Sequence, residues 1–136
     1  MKNLDFKNAI SLTLISFIAI TKQWNVLPVD APESEMYGFP FPYSCTGWHT
    51  SMSRQFFILE FFIDILCYYI FWLVILLCLK KLHVKLFANK MIKYSLITLS
   101  GILVLISLLL VFVFENVFDL YRDFDFTVLE TNIKFF

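Results

Sequence analysis

The sequence predicts an all-α membrane protein with three transmembrane helices, a cytoplasmic N-terminus and an extracytoplasmic C-terminus. Residues 56–79 would extend about 36 Å as a helix, and residues 96–114 form a second apolar run without a charge. Runs of this length suit a hydrocarbon core of about 30 Å. Because 60% of the chain is hydrophobic and only 16% is charged, it has too few polar residues to coat a soluble globule. We therefore expect a single membrane domain over residues 1–136.

The first predicted helix covers residues 6–27 and has the weakest apolar pattern of the three. Its apolar part, Ala9 to Thr21, also suits the hydrophobic region of a signal peptide. Asp5 is unusual before such a region, and Ala19-Ile20-Thr21 is a poor cleavage site. We therefore expect a retained helix, with Lys22 near its outer end.

The charge distribution predicts which side of the membrane each connection faces. The inner loop, residues 80–95, carries five lysines and no acid over residues 80–93, whereas the outer loop (28–55) and the tail (115–136) are acidic. Short lysine-rich loops remain cytoplasmic. A four-residue spacing also predicts an interfacial helix that directs lysines to lipid headgroups, and a basic surface for a cytoplasmic partner is the alternative. These lysines are Lys80, Lys81, Lys85, Lys90 and Lys93. The positive-inside rule accounts for them, so no nucleic-acid partner is expected.

The outer loop is rich in aromatic residues and proline. Pro40 and Pro42 exclude a regular helix there. Its rings indicate either an aromatic belt at the headgroups or a docking patch for a partner protein. They are Tyr37, Phe39, Phe41, Tyr43 and Trp48. Cys45 in the same loop is interpreted as a quiet free thiol, with an interchain bridge as the alternative.

The C-terminal tail contains a short strand-like pattern. Residues 123–128 alternate polar and apolar side chains, with Phe124 and Phe126 on the apolar side. One isolated strand is not stable. We therefore expect this segment to join an edge, in the outer loop or in another protein, which makes both rings candidate interface residues.

Glu60 and Asp64 are the acidic residues of the second predicted helix, and their spacing places them on one face. Charges inside a membrane segment are costly and normally face protein or water. We expect an ion pair between Lys22 and Glu60, and a hydrogen bond from Ser107 to Asp64. Polar contact between helices, a proton or ion path and contact with a partner subunit are the possible roles of the two acids.

No catalytic or metal-binding set is recognisable in the sequence. The predicted topology separates His49 from His83, and the pair Cys45 and His49 lacks a third ligand. We therefore expect no enzyme activity, no cofactor and no metal. The favoured function is an accessory or stabilising subunit of a larger assembly in the bacterial inner membrane, with other subunits or further copies of itself as partners. A proton- or ion-conducting element using Glu60 and Asp64, and a small membrane-active or immunity protein, are the alternatives.

Overall fold

The structure is a computed structural model that describes residues 3–29, 32–47, 53–82, 90–113 and 115–135. These residues form a mixed α/β fold with three helices and a six-stranded sheet. The prediction of an all-α protein was therefore wrong. It failed partly because four of the six strands are only three to five residues long and lie mainly in the segments predicted as loop and tail.

The elements alternate between helices and groups of strands. In chain order they are α1 (Asn3–Ala19), β1 (Ile20–Pro28), β2 (Ser34–Tyr37), β3 (Ser44–Thr46), β4 (Ser53–Phe57), α2 (Ile58–Lys81), α3 (Lys90–Val113), β5 (Glu115–Asp119) and β6 (Phe126–Phe135). The strand order across the sheet is β5-β4-β3-β2-β1-β6. Neighbouring strands are antiparallel except for the parallel pair β4–β5.

The first predicted helix, residues 6–27, is split between a helix and a strand. α1 ends at Ala19 and contains 17 residues, which corresponds to about 25 Å. The following residues form β1, which pairs with β2 on one side and with β6 on the other. Only α2 and α3, among the described residues, are long and apolar enough to cross a membrane. The predicted three-span architecture is therefore replaced by two candidate spans.

Strands occupy most of the tail and part of the outer loop. Residues 28–55 contain β2, β3 and most of β4, while residues 115–136 contain β5 and β6. The alternating pattern at residues 123–128 overlaps the last strand only at its first three positions. That strand pairs within the chain along the whole of β1, with a β-bulge at Leu129 where the register shifts.

α1 lies between the two candidate spans. It packs against both α2 and α3, which have few contacts with each other. The buried face of α1 is partly polar, with Asn8, Ser11 and Thr13 almost inaccessible. Small and polar side chains of this kind let membrane helices approach closely and bond to one another. Across this interface the indole nitrogen of Trp72 donates to Ser16 Oγ at 2.8 Å.

The candidate spans bury few of their residues within the protein. Only 6% of the residues in the apolar window of each are buried, and the rest are half-buried or exposed. Their observed bounds differ from the predicted 56–79 and 96–114, and both helices extend into the predicted inner loop, residues 80–95. Lys80 and Lys81 end α2, whereas Lys90 and Lys93 belong to α3. Lys85 lies outside the described residues.

The sheet lies at the end of the spans opposite to these lysines. β4 runs directly into α2, and β5 begins two residues after α3. Ser53 pairs with Glu115, and Phe57 pairs with Asp119. The parallel pair therefore extends about 13 Å from the end of α3 to the start of α2.

One face of the sheet carries a small hydrophobic core. Val26, Met36, Cys45 and Phe57 are buried there, one from each of β1 to β4. Residues 120–125 connect the two opposite edges of the sheet, and Phe124 packs against Phe57 with ring centroids 5.8 Å apart. This connection covers the core.

Candidate functional site

Within the described residues, polar and aromatic contacts concentrate at the junction of the β2–β3 loop with α1 and α2. Residues 38–42, with the sequence Gly-Phe-Pro-Phe-Pro, fold against the second and third turns of α2. Asp64 is fully buried, and its Oδ1 accepts a hydrogen bond from the Phe41 amide at 3.0 Å. The Phe39 amide also faces this carboxylate. Asp64 therefore attaches the loop to the helix.

The loop leaves β2 through a turn that only glycine suits. Gly38 has a φ of 148°, and a Cβ there would collide with the Phe41 carbonyl oxygen and the Tyr43 nitrogen. The Gly38 amide donates to the Lys22 carbonyl at 3.0 Å, and its own carbonyl accepts from Trp24 Nε1 at 2.8 Å. Both sides of the turn are thus held by β1.

Aromatic rings fill the space between the loop and the helices. Phe17 of α1 stacks on Tyr43 at 5.3 Å and meets the edges of Phe61 and Tyr68 at 5.4 and 5.6 Å. Burial raises the pKa of Tyr43 to about 12. The Tyr68 hydroxyl donates to the Ile20 carbonyl at 3.0 Å, where α1 changes into β1. Tyr43 therefore belongs to an internal cluster, whereas Phe39 remains half exposed.

The other predicted loop residues differ in their surroundings. Phe41 is half exposed. Tyr37 lies in β2, where its hydroxyl donates to Glu35 Oε2 at 2.6 Å and accepts from Lys134 Nζ at 3.3 Å. Desolvation and the Glu35 hydrogen bond raise the pKa of Tyr37. Trp48 lies outside the described residues.

The predicted ion pair between Lys22 and Glu60 is not formed. Lys22 lies in β1, with Nζ 3.7 Å from the centroid of the Trp24 ring. Glu60 Oε1 instead accepts from the Arg122 amide at 3.2 Å. The pair was wrong because Lys22 is on a strand separated from β4 by two others, whereas Glu60 lies at the start of α2, beside residues 120–125.

The predicted hydrogen bond from Ser107 to Asp64 is also absent. The Ser107 hydroxyl donates to the Leu103 carbonyl one turn earlier, at 2.9 Å. Such bonding to the preceding turn is common for serine within helices. The sequence correctly placed Glu60 and Asp64 on one helix, but both acids bond to backbone amides of irregular segments next to the sheet.

The remaining predicted interface residues have partners within the chain. Phe124 and Phe126 pack against the core of the sheet itself. Cys45 is 3% exposed and contacts Gln55 Oε1 at 3.6 Å, and burial raises the pKa of its thiol to about 11. Both properties favour the interpretation as a quiet thiol. His49 and His83 lie outside the described residues, within which no group of three or more His, Cys, Asp or Glu could hold a metal ion.

Sequence reasoning missed a cleft of about 710 Å³ between α2 and the β1–β6 pair. Lys22, Tyr68 and Ile133 are among its lining residues, and they are separated by 46 and 65 positions in the chain. Their proximity depends on the pairing of β1 with β6, for which the sequence contains no local signal. A second cavity, of about 380 Å³, lies between the three helices and β4.

The comparisons with known proteins identify no relative. No protein-family model matches the chain, and neither a curated protein nor a solved structure is significantly similar to it.

Proposed function

We propose that the protein is an accessory subunit of a larger assembly in the bacterial inner membrane, anchored by α2 and α3 and bound to its partner through the free edge of β6. The observation that carries this proposal is the exposure of that edge strand. β6 has ten residues, with a β-bulge at Leu129, and within the described part of the chain it pairs with another strand on one side only. An open edge of this length is a template for a further strand.

The membrane placement is supported by the two candidate spans and their charges. Both helices expose their apolar surface, and their lysines lie at the end away from the sheet. By the positive-inside rule this lysine-bearing end is cytoplasmic, so the sheet projects from the opposite side of the membrane.

The side chains of β6 support a protein partner. Val128, Leu129 and Phe135 are 47%, 53% and 76% exposed, respectively. Soluble edge strands often carry charges or proline that prevent association. β6 has no proline, and its two charged residues, Glu130 and Lys134, leave residues 126–129 uncharged. A partner strand would satisfy its outer backbone groups and cover these apolar side chains.

The proposal is tested by site-specific photo-cross-linking in native membranes. A cross-linker at Leu129 should give one adduct of defined mass, whereas the same group at Thr46, an exposed position on the central strand β3, should not. In a chain without a cross-linker, Leu129→Lys should abolish co-purification of that protein in mild detergent, because a charge at the edge opposes strand addition.

Slow labelling of Cys45 will show whether the Leu129→Lys sheet remains folded, because this thiol is buried in its core. A chain that purifies alone in mild detergent and gives no adduct from Leu129 would contradict the accessory-subunit proposal. Co-purification that persists unchanged in Leu129→Lys would contradict the role of the β6 edge.

A further inference from the structure

We propose that the cleft between α2 and the β1–β6 pair binds one anionic phospholipid, with its phosphate at Lys22 and an acyl chain along α2. This inference rests on the membrane placement proposed above but not on the β6 edge. The cleft volume of about 710 Å³ is within the range of about 300–1,000 Å³ that is usual for small-ligand sites.

The charge of the cleft favours an anionic headgroup. Lys22 is the only charged residue among its described lining residues, and the described part of the chain offers no acid that pairs with its ammonium. The ammonium rests on the Trp24 ring at 3.7 Å, which fixes its position without neutralising its charge. Asn132 lines the same cleft and offers an amide donor to a phosphate oxygen.

The apolar walls favour a lipid over a soluble anion. Phe71 and Ile133 line the cleft and are 56% and 67% exposed. Next to Cys67 and Phe71 on α2, Leu66 and Ile70 are 55% and 52% exposed on the surface of this candidate span. A hydrocarbon chain lying in the cleft would therefore remain in contact with the surface that faces the membrane interior.

Two native cysteines of α2 provide a matched pair for the test. Cys67 lines the cleft, whereas Cys78 lies eleven residues further along the helix and does not. Both are exposed free thiols. The purified full-length protein in detergent is titrated with phosphatidylglycerol or phosphatidylcholine, and maleimide labelling of each cysteine is followed by mass spectrometry.

Phosphatidylglycerol should slow the labelling of Cys67 more than that of Cys78, and at lower concentration than phosphatidylcholine does. Lys22→Gln should shift the phosphatidylglycerol titration by about tenfold, the size expected for one charge-assisted contact. Lys134→Gln is the control, because it removes the same charge from β6 at a residue outside the cleft lining. Slow labelling of Cys45 serves as the check that each variant is folded.

Equal protection of Cys67 and Cys78, equal titrations for the two lipids, or equal shifts in the two lysine variants would overturn the proposal. Protection of Cys67 by inorganic phosphate alone would also overturn it, because the occupant would then be a soluble anion. Leu129→Lys should leave the lipid response unchanged, so a failure of the β6 interaction can be distinguished from a failure of the lipid site.

Discussion

Replacing Asp64 with alanine should release the β2–β3 loop from α2. The carboxylate is fully buried and accepts the Phe41 amide at 3.0 Å, while the Phe39 amide also faces it. Without this carboxylate, the two amides that face it would lose their acceptor, at a cost of about 1–3 kcal/mol for each. We expect a total loss of about 2–4 kcal/mol, because the loop will relax partly towards solvent.

The buried thiol of Cys45 provides the assay. It is part of the sheet core that the loop borders, so reagents reach it when the sheet opens. A loss of 2–4 kcal/mol corresponds to labelling that is about 30- to 700-fold faster, since about 1.4 kcal/mol changes an equilibrium tenfold. Asp64→Asn retains a carbonyl oxygen at the same position and should accelerate labelling by less than about tenfold.

Two results would refute this reasoning about Asp64. Labelling of Asp64→Ala at the wild-type rate would mean that the hydrogen bonds to the loop do not stabilise the sheet. An equal acceleration in Asp64→Asn and Asp64→Ala would mean that the negative charge, and not the acceptor oxygen, is required. Equal acceleration in the two variants would also favour the alternative in which Asp64 takes up and releases a proton.

Two further predictions concern the same region. Gly38→Ala should destabilise the sheet by about 1–3 kcal/mol because of the collision at positive φ, whereas Gly101→Ala, in open space on α3, should be neutral or stabilising by up to about 1 kcal/mol, as measured by Cys45 labelling. Equal effects would contradict this. The thiol pKa of Cys45 rises from 9.0 to about 11 on folding. The stability that comes from keeping this thiol protonated is therefore fully present below pH 9 and is lost as the pH rises towards 11. Thermal unfolding should therefore show that the wild type loses more stability between pH 8 and pH 10 than Cys45→Ala does, by up to about 1.4 kcal/mol. Equal losses of stability in the two proteins would contradict this prediction.

Strand pairing explains why the sequence predicted too much helix. Ile20–Pro28 continues an apolar segment, so it was predicted as the end of the first helix. Its pairing residues lie in β6, with Ile20 opposite Phe135 more than 100 positions away. Local periodicity contains no information on such a partner, and the register is set only when both strands meet.

The partners of the acids were unpredictable for a related reason. The i, i+4 spacing of Glu60 and Asp64 correctly placed both on one face, because helix geometry is local. Their hydrogen bonds depend on the tertiary positions of two distant amides. Asp64 accepts from Phe41, 23 positions before it, and Glu60 accepts from Arg122, 62 positions after it. The sequence offered only side-chain partners for a charge, whereas the fold supplied backbone amides.

The sequence by itself determined the properties that follow from composition over one continuous segment. These properties are the apolarity of α2 and α3, their ability to cross a membrane, and the lysines at their adjoining ends. The free energy of transferring apolar side chains and the rise of a helix both add up residue by residue along a segment. Tertiary structure alone decided the six-stranded sheet, the burial of Asp64 under the loop and the cleft beside Lys22. Each of these features requires contact between segments that are distant in sequence, and the free energy of such a contact depends on both segments together.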